Sequence, residues 1–378
     1  MLSPRSIALA CAAAAIGVCG VAAATSIEPV GWQASALVRM SQTDQLAGPA
    51  QVADPSFVLV HTEAHYDGVY FYAIARDPIA RGTAHELIDR AAYRYGHAGY
   101  GWLAWLASAG QPRAIPVALL VLGLAGAGVA AFAGSSLARN FGWSGWWGLL
   151  VALSPGLVFA ITVDTAEPVA AAFLALGLLG WAQKRWRFAA VWFAAACLTK
   201  EPLLVVPVGL AFWELVELGR GRATEGSGRR IALLAIGPVL FAAWYIYLRS
   251  TFGVWPFRQE AQDYLTFPYA GWLDSIRKAS EFARGPFFGM QVGSAAVALL
   301  AVWGAALTIG LIRARRIRTF VDPAFILMAF TILSLNWLGV LYPKDLIRES
   351  ALTMLVLPLA IAGRRTLAQS TEPPGPDT

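Results

Sequence analysis

Long apolar runs separated by short polar segments dominate the chain. The first run follows Arg5 and covers residues 7–24, enough to cross a hydrocarbon core of about 30 Å at about 1.5 Å per helical residue. Further runs follow from residue 115 onward. The predicted spans are 7–24, 115–137, 144–161, 167–183, 187–199, 202–218, 231–249, 292–312, 323–342 and 351–363. The pattern therefore predicts an all-α, polytopic membrane protein with about ten transmembrane helices in a single domain, residues 1–363.

Two of these runs have a second interpretation. The first run, with its basic start and the small residues Ala22 to Thr25, also fits a cleaved signal peptide. The run 187–199 reaches only about 20 Å as a helix, so it could form a re-entrant hairpin with 202–218 instead of a full span. Either alternative leaves the remaining membrane topology unchanged.

Basic residues concentrate in alternate loops, above all in 220–230 and 313–318, which the positive-inside rule assigns to the cytoplasm. This orientation puts two large loops, 26–113 and 250–290, on the outer side of the plasma (inner) membrane, facing the periplasm or the cell exterior. The tail 364–378 is rich in proline and in small or acidic residues. We expect it to be cytoplasmic and disordered.

The first outer loop contains an aromatic and acidic patch. Its apolar and aromatic residues at helical spacing are Tyr66, Tyr70, Ala73 and Ile74. This spacing predicts an amphipathic helix that lies on the bilayer surface, and a second amphipathic patch follows at Tyr93–Leu106. Asp67 would lie beside the stripe, at the water boundary. Alternatively, Asp67 is only a carboxylate that the dipole of a helix N-terminus favours.

Composition agrees with a membrane protein. Hydrophobic residues make up 57% of the chain and charged residues 14%, whereas soluble domains contain about 25% charged residues. The net charge of +6 comes from short basic clusters between apolar runs, so we do not expect nucleic-acid binding. Cys11, Cys19 and Cys197 all lie in apolar runs, which argues against a disulfide framework and against a cysteine-ligated metal.

Charged residues also gather in the short outer turns. They are Asp164, Glu167, Lys200, Glu201, Lys344 and Arg348. Charges at this depth are costly unless they are paired or line a wet cavity. A cavity that holds both carboxylates and cations suits a reaction on a lipid-linked phosphate.

Each turn also has a purely structural interpretation. Asp164 followed by Glu167 fits a helix capping box, with Pro168 tolerated in the first turn. The pair at 200–201 fits the start of a helix, and the two basic residues of the last turn, 343–350, fit side chains that snorkel to the interface.

Four segments resemble the GT-C superfamily of integral-membrane glycosyltransferases, and most of all PIG-V type mannosyltransferases and their bacterial relatives. The segments are HYDGVYF, YRYGHAGYGWLAWLASAG, SPGLVFAITVDTAEPVAAAFLALGLLGW and LTKEPLLVVP, within residues 1–220. Val69 departs from the glutamine that related bacterial chains often have. The resemblance implies a GT-C-like helix arrangement, interfacial helices in the first outer loop, a polyprenyl-phosphate sugar as donor, and Asp67 as catalytic base.

The resulting functional hypothesis is an inverting glycosyltransferase that moves a sugar from a polyprenyl-phosphate carrier to a lipid or glycan acceptor of the cell envelope. Asp67 would accept the proton of the acceptor hydroxyl. Arg348, Lys344 or Lys200 would stabilise the leaving phosphate, as could a Mg²⁺ or Mn²⁺ ion held by acidic residues: Asp67, Asp164 or Glu167.

Two residues of the first loop are candidates for contact with substrate. His65 and Tyr66 are expected to line the pocket or to touch the sugar, and the spacing of His61 and His65 gives a weak indication of a metal site. Glu201 is expected beside Lys200 in the substrate site. Two functions of other classes stay open at this point: a lipid or glycolipid transporter (flippase), and a non-catalytic scaffold of envelope-polymer assembly.

Overall fold

The computed structural model describes residues 2–61, 65–222, 225–259, 264–284 and 287–362. Within these ranges the protein is all-helical, with 75% helix and no strand beyond two isolated bridges. The α-helices are α1 (Pro4–Ile27), α2 (Ala47–Ala53), α3 (Gly68–Arg76), α4 (Ala91–Arg94), α5 (Gly99–Ser108), α6 (Ile115–Asn140), α7 (Leu149–Ala152), α8 (Pro155–Ile161), α9 (Glu167–Ala182), α10 (Trp186–Thr199), α11 (Val205–Gly219), α12 (Ser227–Leu234), α13 (Ile236–Phe252), α14 (Ala270–Ala283), α15 (Phe287–Ala314), α16 (Val321–Leu333), α17 (Trp337–Val340), α18 (Pro343–Glu349) and α19 (Ala351–Ala362). Short 3₁₀ turns lie at Glu28–Val30, Ala34–Val38, Ala84–Leu87, Tyr95–His97, Gly145–Gly148, Glu201–Leu204 and Pro256–Arg258.

Five helical segments are long and apolar enough to cross a membrane. They are Pro4–Val30, Ile115–Asn140, Glu201–Gly219, Ser227–Phe252 and Gly293–Ala314. The shorter helices α9, α10, α16 and α19 are also apolar. The all-α class is therefore confirmed, and the length and apolar composition of these helices agree with a membrane protein. The count of ten spans stays a prediction.

The predicted span 144–161 is not one helix. A 3₁₀ turn at Gly145–Gly148 and the short α7 precede a break at Ser154, which is extended at φ −71° and ψ 108°. Pro155 explains the break, because its ring disfavours helical backbone in the preceding residue and it has no N–H to donate.

The predicted span 323–342 is also interrupted. α16 ends at Leu333, after which Leu335 forms a bridge with Leu265. Asn336 then starts the next short helix, since its side chain accepts a hydrogen bond from the backbone N–H of Leu338 at 2.9 Å. The chain therefore leaves the helical path twice before it reaches α18.

Helix α6 forms the centre of the core and packs against α1 and α9. Its small residues allow this close approach. A Cβ at Gly126 would lie 2.8 Å from the carbonyl group of Pro168, and a Cβ at Gly128 would lie 2.7 Å from Ile16. Because helices in lipid associate mainly by tight packing, the glycines and alanines of α6 hold the α1–α6–α9 layer together.

The described residues of the segment 26–113 form a cap whose apolar core also includes Leu119 of α6, Val169 of α9 and Leu248 of α13. Helix α3 runs through this core, and all of its residues from Gly68 to Ala75 are buried. The predicted helix exists, but the expectation that its stripe lies on the bilayer is wrong, because no face of α3 is left for lipid. Helix α5 does show an apolar outer surface, with Trp105 40% and Leu106 65% exposed.

Candidate functional site

The start of α3 brings Asp67 against two arginines from distant parts of the chain. Oδ2 of Asp67 accepts a hydrogen bond from the guanidinium of Arg348 in α18 at 2.6 Å. Oδ1 lies 3.5 Å from the guanidinium of Arg94, the last residue of α4. The predicted residue of the first loop and the predicted residue of the last turn thus meet in one cluster.

Further ion pairs connect Arg348 to Lys200 through Glu167 and Glu349. The ammonium of Lys200 donates to Oε1 of Glu167 at 2.5 Å and lies 3.4 Å from Glu349. Arg348 lies 2.7 Å from Glu349 and 3.6 Å from Glu167. Three carboxylates therefore alternate with three cations, and the cluster is close to neutral as a whole.

Exposure differs sharply within the cluster. The side chain of Glu167 is 2% exposed, those of Arg348 and Lys200 are 12% and 14% exposed, and that of Asp67 is 32% exposed. Asp67 is therefore the most open of these four groups, while the cations behind it are shielded from water. Shielded cations attract an anion more strongly than exposed cations do.

The arginines determine the charge of Asp67. Burial raises its pKa, but Arg348 and Arg94 outweigh that effect and lower the pKa to about 2. Asp67 occupies the N-cap position of α3, yet its side chain makes no capping hydrogen bond. The alternative that it only serves the helix terminus therefore does not describe its contacts, which are to arginines.

Gly68 fixes the place of Asp67. A Cβ at this glycine would lie 2.7 Å from the carbonyl oxygens of both Val163 and Val38. The start of α3 is thus wedged between the segment before α2 and the turn before α9. This turn also leads into Glu167, so one glycine sets the distance between the two acidic parts of the site.

Tyr66 and His65 flank the cluster in different ways. The hydroxyl of Tyr66 donates to Asp345 at 2.7 Å, and Arg348 and Lys344 lie over its ring at 5.1 Å and 5.2 Å from the centroid. His65 does not share these contacts, and its Nδ1 lies 2.6 Å from Oδ1 of Asp44. Tyr66 therefore lines the cluster.

His65 supports the cluster through an intermediate side chain. Its Nε2 lies 2.6 Å from the hydroxyl of Tyr70, which also accepts a hydrogen bond from Arg94 at 2.9 Å. The guanidinium of Arg94 stacks on the Tyr70 ring at 3.6 Å. His65 is consequently placed to orient Arg94 through Tyr70, and its contact with a substrate stays a prediction.

Three predicted site residues lie at the margin or outside the cluster. Asp164 is 2% exposed, its Oδ2 has no hydrogen-bond partner among the residues that the structure describes, and burial raises its pKa well above the usual range. Glu201 accepts a hydrogen bond from Tyr245 at 3.0 Å. Lys344 is exposed at the rim, over Tyr66.

The capping-box interpretation of this turn is wrong. The N-cap of α9 is Ala166, and no side chain caps it. Asp164 instead adopts a left-handed backbone with φ +46°, and Glu167 pairs with Lys200. Pro168 does lie in the first turn of α9, as expected.

The metal hypotheses find no direct support in the described residues. His61 bonds Gln42, and His65 is engaged by Asp44 and Tyr70. Among the residues that the structure describes, no group of three or more histidine, cysteine or acidic side chains could hold a metal ion. A Mg²⁺ or Mn²⁺ ion therefore stays a prediction.

Sequence reasoning missed two members of the cluster. Arg94 lies between two tyrosines of the second aromatic patch, and a cation among aromatic side chains in a predicted outer loop was a usable signal. Glu349 directly follows Arg348, and nothing in its local sequence distinguishes it from a solvated charge. Its role is visible only once Lys200 lies beside it.

Comparison with known proteins identified no relative of this chain. No protein-family model matches this chain. No curated protein matches it either. Its function must therefore be argued from the cluster itself: a carboxylate that remains ionised, partly open to solvent, in front of three shielded cations.

Proposed function

We propose that this chain is an inverting membrane glycosyltransferase that moves a sugar from a polyprenyl-phosphate donor to a hydroxyl of a lipid or glycan acceptor. The observation that supports it most is the contact of Asp67 with Arg348 across the fold. For this reaction, the base and the cation that binds phosphate must be close enough to contact the reacting groups of the bound substrates at the same time. Asp67 and Arg348 meet this requirement because they are adjacent. The resemblance to GT-C enzymes agrees with this assignment.

The cations suit a phosphate that gains charge during the reaction. When the bond between the sugar C1 and the phosphate oxygen breaks, the carrier phosphate leaves with additional negative charge. Arg348 offers two N–H groups in one plane and Lys200 offers a point charge behind it, so both would stabilise the leaving group. Their low exposure increases this stabilisation.

Donor binding would also change Asp67. In the present arrangement Asp67 is a weak base, since its pKa is about 2. A phosphate that takes over the hydrogen bonds of Arg348 removes the strongest cause of that low value. The pKa of Asp67 then rises, so the carboxylate becomes a better base only once donor is bound.

The proposed reaction is a single displacement at the sugar C1. The acceptor hydroxyl oxygen attacks C1 from the face opposite the phosphate, its proton passes to Asp67, and the C1–O bond to the carrier phosphate breaks. The product has the inverted configuration at C1. Asp67 would take the proton, and Arg348 and Lys200 would bind the leaving phosphate, while a Mg²⁺ or Mn²⁺ ion stays a prediction.

In this proposal, sugar transfer takes place at the outer face of the plasma (inner) membrane. This placement rests on the positive-inside distribution of the basic loops, which puts the cap 26–113 and the turn before α18 on the outer side. The donor's prenyl chain would lie in the bilayer while its phosphate reaches Arg348.

The deciding experiment measures sugar transfer by the purified full-length chain in detergent. A panel of radiolabelled polyprenyl-phosphate sugars is offered with envelope lipid extract as acceptor, and transfer is compared with that of Asp67→Asn. Transfer that is lost in this variant supports the proposal. Absence of transfer from every donor, together with donor equilibration across proteoliposomes, would instead identify a flippase.

A further inference from the structure

A basic cavity lies far from the Asp67 cluster. It has a volume of about 500 Å³ and is formed by the turn between α9 and α10 together with the start of α12. The residues that line it are Arg185, Trp186, Arg187, Phe188, Glu225, Gly226, Arg229, Arg230 and Leu233. Four arginines against one glutamate give this small space an excess of positive charge.

One of the arginines is built into the wall. Arg230 is 8% exposed and donates to Glu214 of α11 at 2.7 Å and to Ser227 at 2.7 Å. Arg185, Arg187 and Arg229 are exposed around it. The cavity therefore has one buried arginine in its wall and three exposed arginines at its rim, whose guanidinium groups offer N–H donors to an anion.

The cavity also has an aromatic side. The guanidinium of Arg185 lies over the ring of Phe188 at 4.5 Å, and that of Arg230 lies over Trp186 at 5.2 Å. Leu233 adds an aliphatic surface. A ligand that fits this lining carries negative charge next to apolar groups.

The helices locate the cavity relative to the first site. α9 runs from Glu167 to the cavity, and α10 runs from the cavity back to Thr199, next to Lys200. Helices of these lengths span roughly 20–24 Å at about 1.5 Å per residue. The cavity therefore lies one helix length from the Asp67 cluster, at the opposite end of two apolar helices.

We infer that this cavity binds the phosphate headgroup of an anionic phospholipid, with the start of its acyl chains against Trp186, Phe188 and Leu233. A soluble phosphate compound offers the same anion, but it would leave the partly exposed side chains of Trp186, Phe188 and Leu233 facing water. Basic pockets at the ends of membrane helices suit such headgroups. This inference does not depend on the proposed sugar transfer.

The test counts lipids bound to the purified full-length chain by native mass spectrometry during titration with phosphatidylglycerol or phosphatidylcholine. The variant carries Arg185→Gln, Arg187→Gln and Arg229→Gln, which spares the ion pair of Arg230. The matched control carries Arg313→Gln, Arg315→Gln and Arg316→Gln, three exposed arginines of another basic loop that do not line the cavity.

We expect the cavity variant to bind phosphatidylglycerol at least about tenfold more weakly, with phosphatidylcholine binding unchanged and the control close to wild type. An equal loss in both variants would overturn the inference, because it would show a general effect of surface charge. Displacement of the lipid by inorganic phosphate would also overturn it, in favour of a soluble anion. The single variant Arg229→Gln repeats the test if the triple variant unfolds.

Discussion

Asp67 combines partial exposure with a carboxylate that remains ionised. We expect Asp67→Asn to lower sugar transfer by about 10²- to 10⁴-fold, because asparagine keeps the shape of the side chain but cannot accept the acceptor proton. Folding should survive, since Arg348 retains Glu349 and Glu167 as partners. The comparison is initial transfer rate against Asp274→Asn, an exposed aspartate of α14. Near-wild-type turnover in Asp67→Asn would refute the role of base.

Arg348 reaches two carboxylates at once. One of its terminal nitrogens contacts Asp67 at 2.6 Å and the other contacts Glu349 at 2.7 Å. A lysine has one charged nitrogen and cannot reproduce this fork. We therefore expect Arg348→Lys to transfer sugar about ten- to a hundredfold more slowly at subsaturating donor, and Arg348→Ala to be at least as impaired.

The matched control for this prediction is Arg277→Lys in α14, whose side chain is 81% exposed. It should be harmless, because both side chains carry one positive charge into water. If Arg348→Lys were as active as Arg277→Lys, the interpretation of Arg348 as a snorkelling side chain would stand.

The buried carboxyl of Asp164 should make the stability of the folded state depend on pH. The sign is opposite to that expected for an ion-paired carboxylate. Burial raises its pKa in the folded chain, whereas the unfolded chain releases the proton near pH 3.8. Between these two pKa values the folded state holds one proton more, so this group's contribution to stability is lost as pH rises.

Asp164→Asn should therefore raise the midpoint of thermal unfolding at pH 7, and the gain should shrink as the pH approaches about 4. Asparagine also tolerates the positive φ of +46° at this position. The check is thermal unfolding in detergent at several pH values, with Asp164→Ala as the variant that loses this backbone preference. A gain that does not vary with pH would contradict the argument.

At the scale of elements, the position of α3 depends on Gly68. We expect Gly68→Ala to lower stability by about 1–3 kcal/mol, because a Cβ would collide with the backbone on both sides and push Asp67 out of the cluster. Transfer should fall together with stability. Gly48→Ala in α2 is the control, since a Cβ there meets nothing within 4 Å. Equal stability of the two variants would show that α3 can shift freely.

Hydropathy predicted where helices lie better than where they break. The run 115–137 corresponds to Ile115–Asn140, because a long apolar stretch in lipid must satisfy its own backbone. The break at Ser154 escaped this reasoning, since leucine and valine continue on both sides of Pro155 and keep the hydropathy high. The interruption around Leu335 also lies in an apolar run, and the bridge of Leu335 to Leu265 cannot be read from local hydropathy.

The stripe of α3 shows a second limit of pattern reasoning. Helical spacing identified the helix but not its surroundings, because an aromatic-apolar face packs equally well on lipid or inside a folded cap. Likewise, the sequence identified Asp67, Lys200 and Arg348 as unusual charges. Their partners could not be read from it, since Asp67 and Arg348 are 281 residues apart.

At the scale of the molecule, the two charged regions lie at opposite ends of α9 and α10. One end holds a nearly neutral cluster of three acids and three bases, and the other holds a cavity with four arginines. A neutral cluster can release a cation to an incoming phosphate, whereas the cavity keeps an excess of positive charge, because Glu225 and Glu214, the partner of Arg230, offset only two of its four arginines. This asymmetry gives the proposed donor site and the proposed lipid site different expected ligands.

The orientation of the chain in the membrane can be tested by thiol labelling of introduced cysteines. The native cysteines should not be labelled, because they are buried. Cys11, Cys19 and Cys197 are fully buried and free. Single variants Glu86→Cys in the cap and Glu225→Cys beside the basic cavity introduce exposed thiols.

The positive-inside rule predicts that a membrane-impermeant maleimide labels Glu86→Cys in intact cells and labels Glu225→Cys only after permeabilisation. The same result would put Asp67 on the outer side, since it shares the folded cap with Glu86. Labelling of Glu225→Cys in intact cells, with protection of Glu86→Cys, would invert the topology. Sugar transfer would then have to draw its donor from the cytoplasmic leaflet, and the basic cavity would face the outer one.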